Sequence, residues 1–159
     1  MSEPKTTLDP VLISVMANRL DGIVREMTNT LLRSARSAVI SSARDFSCCL
    51  VTGNDELLAP AEGLPVHIFG CHIQTANMRE YHRGDIKRGD AYLDNDPYGG
   101  NTHPADHTFM VPVFFEDEHL FTAVSKCHMA DIGNSIPSSY FVRARDVYEE
   151  GALVFPGVR

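Results

Sequence analysis

Basic residues are in short supply: Lys and Arg total 14 against 21 Asp and Glu in 159 residues, a formal net charge of −7. They are scattered singly or in pairs, so the electropositive stripe that holds a phosphate backbone is missing and no nucleic-acid partner is expected. Cysteine is limited to four residues with no C-x-x-C spacing, which argues against a zinc ribbon or dithiol centre and fits reduced thiols in a cytosolic compartment. No apolar run approaches the roughly 18 residues of a membrane span, and the opening "MSEPKTTLDP" lacks the basic start and apolar centre of a signal peptide. The expectation is a cytoplasmic protein without membrane contact. Neither G-x-x-x-x-G-K-[ST] nor G-x-G-x-x-G occurs, so a nucleotide, if the reaction uses one, is expected on another chain or domain. With no internal repeat or low-complexity linker, and 43% apolar residues, the chain suits one domain with a real core, or a piece of one.

What is present begins with a helix start, Asp9-Pro10, an N-cap acceptor followed by the residue that fits the first helical position. Leu12, Val15, Met16, Leu20, Ile23, Val24, Met27, Leu31 and Leu32 then recur at three- and four-residue spacings, with Arg33 and Arg36 near the far end. This predicts a long amphipathic helix from 10 to the mid-30s, its apolar stripe serving as core or subunit interface. "DFSCCLVTGNDELLAP" reads as a hairpin of two short strands. A second helix is predicted from Val66 to about Tyr81, ended at His82-Arg83-Gly84. "GDAYLDND" supplies a short strand, and Thr108 to Phe115 and Leu120 to Lys126 form two β-runs around the turn "EDEH". Beyond Asp131 the chain reads as loop with one helical turn near "DVYEEG". Helices and strands do not alternate regularly, so the fold class is α+β: a long N-terminal amphipathic helix, mixed short strands and a second helix. The final "FPGVR" is apolar, and the chain is expected to stop in mid-fold.

The chemistry concentrates in "NDPYGGNTHPADHTFMV", residues 95 to 111, too rich in Gly, Pro and Asn for one regular element. Carboxylate oxygen and imidazole nitrogen together suit Mn, Fe or Zn better than Ca. His103 and Asp106 offer one such pair, His128 returns at the end of the β-hairpin, and Asp45 stands at the mouth of the first strand. A His beside a loop Asp is more often a turn-stabilising hydrogen bond than a ligand. Asp131 either caps a turn or orients His128. His107 follows Asp106 on extended chain and points the other way, which leaves it an acid/base or supporting role, or that of a buried hydrogen-bonded His. His67 opens a helix, where backbone N–H groups can bind an anion, or is only part of that helix start. Asp94 and Asp96 read as turn formers, and Cys48, Cys49 and Cys127 as small core residues.

"DPVLISVMANRLDGIVREM", "RDFSCCLVT", "LLAPAEGLPVHIFG", "GDAYLDNDPYGGNTHPADHTFMVPVF" and "HMADIGNSIP" together resemble, in order and wording, the hydantoinase B/oxoprolinase family over nearly the whole chain. Departures from the family's wording are Asn134, where a second Gly is common, and Cys127-His128-Met129 in place of paired His. The resemblance implies that residues 1–159 are the N-terminal part of such a domain, since full-length members are several times longer. It implies ATP-driven opening of a cyclic amide, with an A-type partner subunit binding ATP and Mg and the B-type half carrying a divalent metal. The family's ligand positions fall on Asp45, His103, Asp106 and His128, leaving His107 and Asp131 for catalytic support. A ketone carboxylase subunit sharing the same metal, and a non-catalytic assembly piece, are the alternatives.

Overall fold

The computed structural model describes residues 9–60 and 63–159; the polar N-terminal stretch and the first part of "AEGLPVHIFG" lie outside the described residues. Helix α1 (Pro10–Ser34) starts as its sequence dictates, the Asp9 side chain accepting the Val11 N–H at 2.9 Å. Its second half is core: Val24, with Leu20, Met27 and Leu31, packs on Cys48, Leu50 and Ala59. Its first half is not, and Val11, Leu12, Ile13, Val15 and Met16 are exposed.

After the one-turn helix α2 (Ala38–Ser41) come β1 (Phe46–Thr52) and β2 (Leu57–Pro60), the expected hairpin. The predicted second helix is two pieces, α3 (Pro65–Phe69) and α4 (Cys71–His82), which corrects the continuous helix read from the sequence. The break falls at Gly70, where a Cβ would sit 1.8 Å from the Gly100 carbonyl oxygen. The cause is a tertiary close approach, which no local periodicity records. Strand β3 (Tyr92–Asp94), a 3-10 turn (Pro97–Gly99), β4 (Asp106–Phe115), β5 (Glu118–His128) and a final one-turn helix α5 (Val147–Glu150) complete the chain. β4 begins two residues before the predicted run and β5 extends two residues past it at both ends, which draws Asp106 and His128 into the ladder.

The sheet is antiparallel in the order β2-β1-β5-β4-β3. Side chains alternate across it. Cys48 and Leu50 meet α1, while Cys49, Val51, Met110, Tyr92 and Val124 meet Ile68 of α3 and Cys71 and Met78 of α4. β1 is therefore covered on both faces and is buried from Phe46 to Val51. Toward β3 the α1 face lies open, with Phe109 and Val111 exposed. No helix among the described residues is long and apolar enough to cross a membrane.

Candidate metal centre

The register at the sheet's end assembles the site. Asp106, first residue of β4, pairs with His128, last of β5. The next strand over, β1, begins one residue after Asp45, whose carbonyl accepts the His128 N–H at 3.0 Å. Arg44 adopts a left-handed φ of 56° between α2 and β1. Such a conformation costs a non-glycine residue on the order of 1–3 kcal/mol, and it sets the direction in which Asp45 enters the site. His103 comes from the preceding loop, held by a tight turn in which Asp106 N–H bonds the His103 carbonyl at 3.0 Å. Asn101 clamps that turn, its Nδ2 donating to both the His103 and the Asp106 carbonyls at 2.7 Å.

At the centre, Asp106 Oδ1 lies 3.1 Å from His128 Nδ1 and 3.3 Å from His103 Nε2. One ligand atom from each of these three residues lies within 4.8 Å of the others. Asp45 Oδ2 stands 3.8 Å from the same His128 nitrogen. Donors bound at about 2.0–2.2 Å around one ion are separated by about 3.0–3.5 Å, so the spacing and the mixed N/O chemistry fit a divalent transition metal. Asp106 is buried, and burial alone pushes its pKa up. Contacts from His103, His67 and Thr102 outweigh that and hold it far below the usual carboxylate range. Asp106 raises His103 in turn, against the opposing effect of partial burial. The His103 ring is half-exposed and edged by Tyr140, which marks the open side of the cluster.

The other sequence candidates sit elsewhere. His107 is across the sheet, its ring edge-on to Phe155 and Nε2 buried without a hydrogen-bond partner; burial pushes its pKa down. Asp131 Oδ1 accepts the Gly133 N–H at 3.1 Å, a turn-capping bond. Asp96 likewise caps the 3-10 turn, and Asp94 is engaged by Gln74, the Asp96 N–H and the Gly157 N–H. All four cysteines are free and buried.

Two buried groups stand out that the sequence did not place in the cluster. His67 is 3% exposed and faces the cluster, Nε2 lying 3.3 Å from Asp106 Oδ2 and 3.5 Å from Asp45 Oδ1. The sequence placed it at a helix start, and only the laying of α3 across the sheet brings it here. Lys126 is fully buried with Nζ unpartnered; burial lowers its pKa, opposed by Cys71, Asp106, Cys49 and Asp94. Alternation along β5 puts it on the same face as His128.

Fold and site define a class: an α+β domain with a cluster of His and Asp, of metal-ligand composition, at one end of an antiparallel sheet. The hydantoinase B/oxoprolinase family profile matches residues 9–159, and the chain belongs to that family. It is 33% identical to the 5-oxoprolinase of Dictyostelium discoideum over 94% of this chain and 12% of that protein. It is 31% identical to caprolactamase subunit beta of Pseudomonas jessenii over 94% of this chain and 26% of that subunit. A crystal structure of the ATP-dependent caprolactamase from that organism superposes with a TM-score of 0.88 at 32% identity, covering 96% of this chain and 26% of the matched one. The chain thus spans about an eighth to a quarter of these relatives.

Proposed function

We propose that the chain is the metal-holding part of an ATP-dependent cyclic amidase of the 5-oxoprolinase and hydantoinase type. It would open the C–N bond of a ring amide together with an A-type subunit that binds ATP and Mg. The observation that carries the reading is the gathering of His103, Asp106 and His128 at ligand spacing, with Asp45 beside them at 3.8 Å from His128, from three separate segments of the chain. The relatives' names support the reaction class, since 5-oxoprolinase and caprolactamase both act on ring amides.

When bound, a divalent Mn, Fe or Zn ion supplies Lewis acidity toward an amide carbonyl, a poor electrophile without it. The chain's own residues prepare the place. Thr102 donates its hydroxyl to Asp106 Oδ2, so Oδ1 is the oxygen left for the ion. The flanking imidazoles keep Asp106 ionised, and the partly exposed His103 leaves one side of the cluster open to solvent.

Metal analysis of the purified wild type and of His103→Ala tests the site: near-stoichiometric metal in the first and a loss in the second are expected. Equal, negligible metal in both, with folded protein, overturns it. Lactam hydrolysis with ATP and the A-type subunit tests the reaction, and turnover of a ketone with bicarbonate but of no ring amide would replace this reading with a carboxylase.

A further inference from the structure

We propose that His67 is a positioning residue that spans Asp45 and Asp106 and aims them, without itself belonging to the donor set; this rests on the metal reading above. The geometry divides each carboxylate. Asp106 turns Oδ1 toward His103 and His128 and Oδ2 toward His67; Asp45 turns Oδ2 toward His128 and Oδ1 toward His67. The oxygens that face His67 are therefore not the ones that face the other imidazoles. One ring nitrogen lying 3.3 and 3.5 Å from two carboxylate oxygens brings two segments, far apart in sequence, against one rigid ring.

Which nitrogen carries the hydrogen follows from the partners. Ionised carboxylates only accept, so Nε2 carries it, and Nδ1 is left as an acceptor. Nδ1 faces a group able to donate, the Ser47 hydroxyl at 3.5 Å, whose hydrogen also has the Leu64 carbonyl within reach at 3.4 Å. That hydroxyl is itself placed by the Leu64 N–H, which donates to Ser47 Oγ at 3.0 Å. The approach requires Gly63, because a Cβ there would lie 2.4 Å from Ser47 Oγ. Both Ser47 and His67 are 3% exposed, so water does not compete for either contact. A chain of contacts thus runs from the loop before α3 through Ser47 and His67 to the two carboxylates. Groups that orient ligands in this way change metal affinity when removed, while the ligand atoms stay the same.

The test uses Co(II) as both ligand and chromophore. Apo wild type, His67→Leu, His67→Gln, Ser47→Ala and His103→Ala are titrated with Co(II), with thermal melting confirming that each is folded. Gln places an amide N–H near the position of Nε2–H. His67→Leu is expected to bind one Co(II) about 10- to 100-fold more weakly, and His67→Gln to recover to within about threefold of wild type with the wild-type visible band. Ser47→Ala falls between them, and His103→Ala alters the band because a nitrogen ligand is lost. An altered band in His67→Gln like that of His103→Ala, or unchanged affinity in His67→Leu, overturns the proposal and leaves the metal site standing. Should His67→Leu fail to fold, the Gln band shape and the Ser47→Ala affinity decide in the same sense. Absence of Co(II) binding by wild type removes the metal reading and this inference together.

Discussion

At the scale of single residues, adjacency in sequence and adjacency in space part company at Asp106 and His107. The pleat sends Asp106 into the cluster and His107 to the opposite face, against Phe155. Asp106→Asn is expected to abolish stoichiometric metal binding, since it replaces the carboxylate shared by His103, His128 and His67. His107→Ala is expected to leave metal content unchanged, and elemental analysis of the two purified variants checks both. Among the four candidate ligands, His103 and Asp106 could be named as a pair because their types and spacing are local, while Asp45 and His128 were named from the expected strand ends and the family resemblance. His67 could not. Its signal is a helix of five residues laid over β1, and a His after Leu-Pro-Val looks the same whether it faces an ion site or a turn. Lys126 was hidden for the opposite reason: nothing in an alternating strand announces that a cation is fully covered.

At the scale of elements, α1 was legible from one end to the other, because an Asp-Pro start and a 3.6-residue period are written in consecutive positions. Which part of it packs was not legible, because that depends on where the helix meets β1 and β2. The stripe is continuous, yet only its second half touches the sheet. Leu50→Ala, at a fully buried position under α1, is expected to cost about 2–5 kcal/mol. Leu12→Ala, on the exposed half, is expected to stay within about 0.5 kcal/mol. Urea unfolding of both variants separates the two halves of the stripe. The division of the second helix at Gly70 belongs to the same scale, since the neighbour is the backbone of Gly100 in the loop that carries His103.

At the scale of the whole molecule, stability should carry an acid limb of its own. Burial, helped by the charge of Arg79 and opposed by Asp55, lowers the pKa of His119 from its ordinary 6.5, so the unfolded chain takes up the proton first. Stability from this group is therefore complete above about pH 6.5 and falls as pH drops toward the native pKa. Urea midpoints of wild type and His119→Gln between pH 8 and 5 check it: the variant is expected to lose less stability over that interval. A last consequence follows from the hydrogen bond between the His128 N–H and the Asp45 carbonyl. It joins β5 to the residue before β1, so Asp45 meets His103, Asp106 and His128, which the β4–β5 hairpin and its leading loop already bring together, only once the most distant strand pairing in the sheet has formed. Closing so long a loop is slow and comes late. Three of the candidate donors can thus gather locally, and the arrival of Asp45 marks the closing of the sheet.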